Sequence, residues 1–361
     1  MKTSRLGTTA RFAAALLGLL LLAGCSKPVS EWDRLESDIA HARQQQNHPR
    51  AVELSRQLVV LAREFPPVDS ARLIHSYDVL QRCLMDAGNF PFALEYQNHV
   101  IGLVDGMQRP DSVLLRRLLV ETADCLRRLD KPDEAERFLT RAVELHRVSG
   151  NADVPAARQA IDALARTNAI RGRFAAAESL QRQAIDFRAA DADTVGLDRA
   201  LLLASLADYV DELGRSVEAE SLYTQALRIG EQRTGADHPM TAPLELAYGS
   251  YLYAHARHAE AVPHLERGIR LSAASPAYDG AEQAEQLHRL SGSAARVGDW
   301  EAAREAAERA IALRENADPP VGPLPHTWVN ELGVIYVQLG RSHAAESLQT
   351  RYPGTKPDPE R

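Results

Sequence analysis

Small residues recur along this chain at a fixed interval. Stepping by 42 from Ala51 meets Ala93, Ala135, Ala177, Ala219, Ala261, Ala303 and Ala345 without an insertion. Eight positions after seven of these alanines stand Val59, Ile101, Val143, Ile185, Leu227, Ile269 and Ile311. Seven positions after come Ala142, Ala184, Ala226, Gly268 and Ala310. Offsets of seven and eight fall on one helical face, so each alanine opens a stripe of small and apolar residues. Twelve positions upstream a second small column runs through Ala123, Ala165, Ala207, Gly249, Ser291 and Gly333, preceded in most units by leucine. Between the columns, five residues before the alanines, lie Gly88, Asp130, Gly172, Gly214, Ala256, Gly298 and Gly340. Glycine there suits the left-handed cap that ends one helix and reverses the chain. The pattern predicts pairs of antiparallel helices, each about 16–19 residues, joined by links that carry Pro or Asp. Such links are Pro66-Pro67, Pro110-Asp111, Pro239, Pro276 and Pro319-Pro320.

The unit resembles the tetratricopeptide repeat in its 42-residue form, known from kinesin light chains. The segment "LLASLADYVDELGRSVEAESLYTQALRIGEQRTGADHPMTA" carries the likeness, including its Asp237-His238-Pro239 link. It extends over residues 31–351. It implies an all-α fold: a right-handed superhelical solenoid of about eight antiparallel helix pairs with a concave groove, stabilised by neighbour interfaces. Some positions depart from the pattern. Asp38 and Ile39 stand where a leucine and a small residue belong, and Ala256 and His264 replace a glycine and an apolar residue. The last unit meets Pro353-Gly354 early, and residues 352–361 read as a disordered tail.

The first residues follow another rule. Lys2, Arg5 and Arg11 precede an apolar run from Phe12 to Leu22, a signal-peptide pattern too short to span a bilayer. The run ends in Leu22-Ala23-Gly24-Cys25, which resembles the lipobox of bacterial lipoproteins. That resemblance implies cleavage after Gly24, acylation of Cys25 and a short tether over residues 25–30. Ser26 in place of Asp implies the outer membrane of a Gram-negative envelope rather than retention at the inner one. Loss of three basic residues takes the formal charge from −7 to −10. An acidic chain of this kind lacks the basic surface that nucleic-acid binding requires.

Cys83 and Cys125 are the remaining cysteines, 42 positions apart. Equivalent helices of adjacent repeats stand about 10 Å apart, beyond the ~7 Å that a disulfide spans between Cα atoms, so both are expected to be free, buried thiols. No phosphate-binding loop, nucleophile elbow, dinucleotide fingerprint or zinc motif occurs in the sequence, which argues against an enzyme and against a cofactor. His255, His258 and His264 form the best metal candidate, but the register spreads them over a turn and a helix, and packed histidines are the expected outcome. The glutamates Glu134, Glu136, Glu218 and Glu220 read as solvated charges.

Function is therefore expected in the groove. The register places Asp78, Arg82, Glu121, Asp124, Arg127, Asp162, Arg166, Asp208, Tyr253, His288 and Asn330 on its first-helix wall. This mixture of both charges with uncharged groups suits an extended peptide. The expected role is a non-catalytic protein–protein scaffold, with a peptide or small-ligand sensor as the alternative. No polar capping helix follows Tyr352, so Leu332, Ile335, Tyr336 and Leu348 are expected to be partly uncovered, a surface for self-association.

Overall fold

A computed structural model describes residues 30–64, 70–107, 110–149, 154–186, 195–235, 237–273, 280–316 and 324–353. The signal-like segment, Gly24, Cys25 and residues 354–361 of the tail lie outside them. Among the described residues the chain is all α-helix, with no strand, and its sixteen helices pack in consecutive pairs. It divides into two compact units, one ending at Pro110 and one starting at Asp111.

The first unit pairs α1 (Glu31–Gln44) with α2 (His48–Glu64) and α3 (Ser70–Asp86) with α4 (Phe90–Asp105). The second contains six pairs. They are α5 (Ser112–Arg128) with α6 (Pro132–Ser149), α7 (Val154–Ile170) with α8 (Phe174–Asp186), and α9 (Val195–Glu212) with α10 (Ser216–Thr234). A short 3-10 turn, Pro239–Thr241, leads into α11 (Ala242–Ala254) and α12 (His258–Ser272). Then come α13 (Gly280–Val297) with α14 (Trp300–Glu315), and α15 (His326–Gln338) with the short α16 (Ser342–Arg351).

The columns read from the sequence occupy the places expected of them. All eight alanines sit on the second helix of a pair and are buried, the least so being Ala345 at 6% exposure. Ile39 fills the core of the first pair, while Asp38 beside it faces water. From α9 to α15 the buried side chains form one continuous core. Cys83 and Cys125 are free and buried, as the repeat spacing implies. No described helix is long and apolar enough to cross a membrane.

Every pair turns in the same way. Gln46, Gly88, Asp130, Gly172, Gly214, Ala256, Gly298 and Gly340 all have positive φ. The next residue in each case donates its N–H to a carbonyl five positions back, as Arg215 does to Val210 and Arg257 to Leu252. Ala256 holds φ 57° with a Cβ that disfavours it. Ala256→Gly is therefore expected to stabilise the protein by roughly 0.5–1 kcal/mol, the relief of strain exceeding the added entropy of the unfolded chain. A urea midpoint that failed to rise would contradict this account of the turn.

The turns also carry a charged ladder that corrects the solvated reading of the glutamates. Arg173 pairs with Glu136 at 2.7 Å, Arg215 with Glu178 at 2.5 Å and Arg257 with Glu220 at 2.7 Å, each joining one second helix to the preceding one. The offset is the same at all three steps. Arg341, in the same register, reaches Glu301 at 2.7 Å. Glu218 likewise pairs with Arg182 at 2.7 Å. Each rung is partly exposed and worth little alone. Repetition makes the ladder a register mark that holds neighbouring pairs in one relative setting.

Candidate functional site

The first-helix residues selected by register fall into distinct environments. In the first unit Asp78 is buried at 3% exposure, so it does not line an open face. Its carboxylate accepts from Arg82 and, at 3.4 Å, from Gln81, while Gln97 donates to Gln81 Oε1 at 2.7 Å. In the second unit the early members pair along their own helices. Glu121 accepts from Arg117 at 3.0 Å, Asp124 pairs with Arg127, and Asp162 with Arg166 at 3.0 Å. These pairs are i,i+3 or i,i+4 neighbours that neutralise one another where they stand.

The later members differ. Asp208 of α9 is exposed to water, yet its carboxyl titrates at about 6, well above the ordinary value. The protein around it removes solvation, and Asp211 and Glu212 repel its charge, while a bond from the Tyr223 hydroxyl and the charge of Arg289 offset part of the rise. His288 of α13 is pushed down to about 4 by burial and by the neighbouring Arg289. Its ring stacks on Trp328 with centroids 4.5 Å apart and planes at 15°, and Nδ1 lies 3.5 Å from a Glu331 carboxylate oxygen. Burial raises Glu331 of α15 as well, although about half of its side chain, 51%, is exposed.

Three groups that water can reach are thus driven towards their neutral forms by surrounding protein. That combination marks a surface that is wet but poorly solvating. Polar side chains fill the space between them. Arg289 donates to Ser250 Oγ at 3.0 Å, and Ser250 to Gln286 at 3.1 Å. Gly292 leaves room for the Tyr253 ring, which would stand 3.1 Å from a Cβ at that position. Asn330 has a buried Oδ1 without a hydrogen-bond partner. The face therefore offers donors and acceptors without a dominant charge.

Register identified Asp208, Tyr253, His288 and Asn330 but not Ser250, Gln286, Arg289, Trp328 or Glu331. Glu331 and Arg289 could have been found, since they share one column 42 residues apart.

The three histidines near the turn go to separate partners. His255 contacts Asp211 at 2.9 Å, His258 packs on Tyr253, and His264 bonds Glu245 at 2.6 Å. Among the described residues no group of three His, Cys, Asp or Glu side chains is placed to hold a metal ion. At the carboxyl-terminal end the expectation of an uncovered surface holds in part: Tyr336 and Leu348 are partly exposed, whereas Leu332 and Ile335 are each 3% exposed. Tyr336 donates to Glu308 at 2.8 Å, and Tyr352 packs on the same core and bonds Glu315. Leu332 and Ile335 are buried because α15 packs against both α14 and α16.

The low value for His288 gives a pH dependence with a definite sign. The unfolded chain takes up this proton near pH 6.5, before the folded protein does, so stability present above 6.5 is lost as pH falls towards 4. Asp208 acts in the opposite sense, because its folded value is raised. The expected His288 contribution is about 3 kcal/mol. Urea unfolding of wild type and His288→Gln at pH 7.5 and 4.5 isolates it. The variant should lose less stability on acidification, and equal losses would refute the assignment.

The tetratricopeptide-repeat family matches residues 114–190 and 198–274. The two segments fall on α5 to α8 and on α9 to α12. Among solved structures, the apo form of the quorum sensor NprR from B. thuringiensis is similar with a TM-score of 0.62 at 13% identity, over 95% of this chain and 91% of that one. A chain of the APC/C hetero-tetramer Cut9–Hcn1 is similar with a TM-score of 0.54 at 13% identity, over 98% of this chain but only 58% of that one. At such identities the likeness is one of fold. A sequence search of curated proteins finds no match. The face bearing Asp208, His288 and Glu331 is the first-helix side of the helix pairs from α9 to α15.

Proposed function

We propose that this protein is a non-catalytic interaction scaffold that binds an extended protein segment along the first helices of its second unit. The observation that carries this reading is the first-helix face where Arg289, Ser250 and Gln286 form a hydrogen-bonded array, Asn330 Oδ1 lacks a partner, and surrounding protein disfavours the charges of Asp208, His288 and Glu331. A peptide main chain presents one donor and one acceptor per residue without net charge, which suits such a surface better than an ionic ligand does. The lipobox-like Leu22-Ala23-Gly24-Cys25 supports lipidation at Cys25 and display from the outer membrane into the periplasm. A scaffold held at a membrane acts by bringing partners to that surface.

Photo-crosslinking in intact cells tests the binding reading. A crosslinkable residue at Tyr253 should yield a discrete adduct that is absent when the probe stands at Glu305, on the exposed side of α14. Equal adducts from both positions, or none from Tyr253, would defeat it. The anchor is tested separately: Cys25→Ala should release the protein from membranes, and globomycin should block its processing.

A further inference from the structure

Within the second unit the first helices of successive pairs touch at α5–α7, α9–α11, α11–α13 and α13–α15, but α7 and α9 approach each other less than any of these. A cleft of about 520 Å³ opens between them. The Arg158–Asp198 ion pair spans it. Its apolar lining is Ala156, Leu201 and Leu202, of which Leu201 is 36% exposed and Leu202 buried. Its remaining polar lining is Gln159, an exposed carboxamide, and Asp162.

Gln181, fully buried on α8, supports both walls. Its Nε2 donates to Asp162 Oδ1 at 3.0 Å and to the Leu202 carbonyl at 3.1 Å, and its Oε1 is buried without a partner. The walls are thus held apart at a fixed spacing by a buried amide, a sign of a built site rather than a packing gap.

The charges at this cleft are already matched, Arg158 with Asp198 and Asp162 with Arg166. The groups left for a ligand are the exposed Leu201 surface and the neutral carboxamide of Gln159. We infer that the α7–α9 cleft is an anchor site for an uncharged aliphatic side chain of an extended segment, with the Gln159 carboxamide bonding the main chain beside it. The volume lies within the range of small-ligand pockets and accommodates a few residues of chain. This inference rests on the scaffold reading and gives it a chemical preference.

Methyl NMR on the full chain tests it, with the blocked tripeptide acetyl-Ala-Leu-Ala-amide as probe and its Ala-Asp-Ala counterpart as control. Saturable shifts of the Leu201 and Leu202 methyls are expected, with affinity for the leucine probe about tenfold above that for the aspartate one. Leu201→Asp should abolish binding. Gln159→Ala, at an exposed position, should weaken it with the fold undisturbed, while Glu305→Gln, on the exposed side of α14, should leave it unchanged. No saturable shift, equal affinity for both probes, or indifference to both cleft substitutions overturns the inference. Shifts confined to the Tyr253–His288 face would overturn it too, while leaving the scaffold reading intact, since crosslinking from Tyr253 decides that independently.

Discussion

Gly268→Leu is expected to destabilise the second unit by about 3 kcal/mol, because the backbone at the α11–α12 seam stands too close to give way. A Cβ at Gly268 would stand 2.6 Å from the Leu246 side chain and 3.1 Å from its backbone nitrogen. The seam is reciprocal: a Cβ at Gly249 would meet the Leu265 side chain at 2.9 Å and its backbone nitrogen at 3.1 Å. Each helix thus offers a glycine to the other's leucine. Flexible side-chain ends can rotate away, but the backbone atoms move only if the helix moves. Gly268→Ala should therefore also destabilise, by roughly 1 kcal/mol, and Leu246→Ala should rescue the leucine variant only in part. Urea midpoints read both effects. An unchanged midpoint in Gly268→Leu would mean that the pair packs less closely than these distances require.

That seam was legible in the sequence because close approach requires small residues at fixed intervals, and fixed intervals are what a repeat exposes. The same holds for seven of the eight turns, all but that at Gln46: a left-handed residue is needed once per pair, so even Ala256 and Asp130 are located by their neighbours in register. The first-helix face was legible only in part. Register indicates which side a position faces, which found Asp208, Tyr253 and His288. It does not indicate how deeply a carboxylate is enclosed, so buried Asp78 and exposed Asp208 looked alike. The charged ladder escaped because glutamate on a helix is ordinarily solvated, although Arg173, Arg215, Arg257 and Arg341 were aligned for anyone who asked what lay opposite. The α7–α9 cleft left no trace at all. It arises from a local spreading of two helices, and periodic columns describe what every unit shares. The division after Pro110 is equally silent, since the alanine register crosses it unchanged.

Two departures in the α11–α12 pair explain each other, and they carry the second large prediction. Glu245 occupies a column that elsewhere holds Leu119, Ile161, Leu203, Leu287 and Val329, all buried, and it is itself only 1% exposed. His264 occupies the column of Tyr96, Phe138, Leu180 and Leu222. The two meet at 2.6 Å, and Arg267 holds the other carboxylate oxygen at 3.0 Å. Arg267 also reaches Glu231 of α10 at 3.3 Å, so one buried carboxylate ties three helices together. Glu245→Ala is expected to cost about 3 kcal/mol, since it opens a void in the core and takes the carboxylate from His264, while Arg267 keeps Glu231. His264→Leu alone should also destabilise, by leaving the carboxylate with fewer partners. The double variant Glu245→Leu with His264→Leu restores both apolar columns and should recover most of the loss, because a hydrophobic pair can replace a buried ionic one at little cost. Arg267 keeps Glu231 in that variant and is not stranded. A double variant less stable than either single one would show that the ionic pair does more than substitute for apolar packing, whereas recovery would identify it as an exchange of one core solution for another within an otherwise uniform repeat.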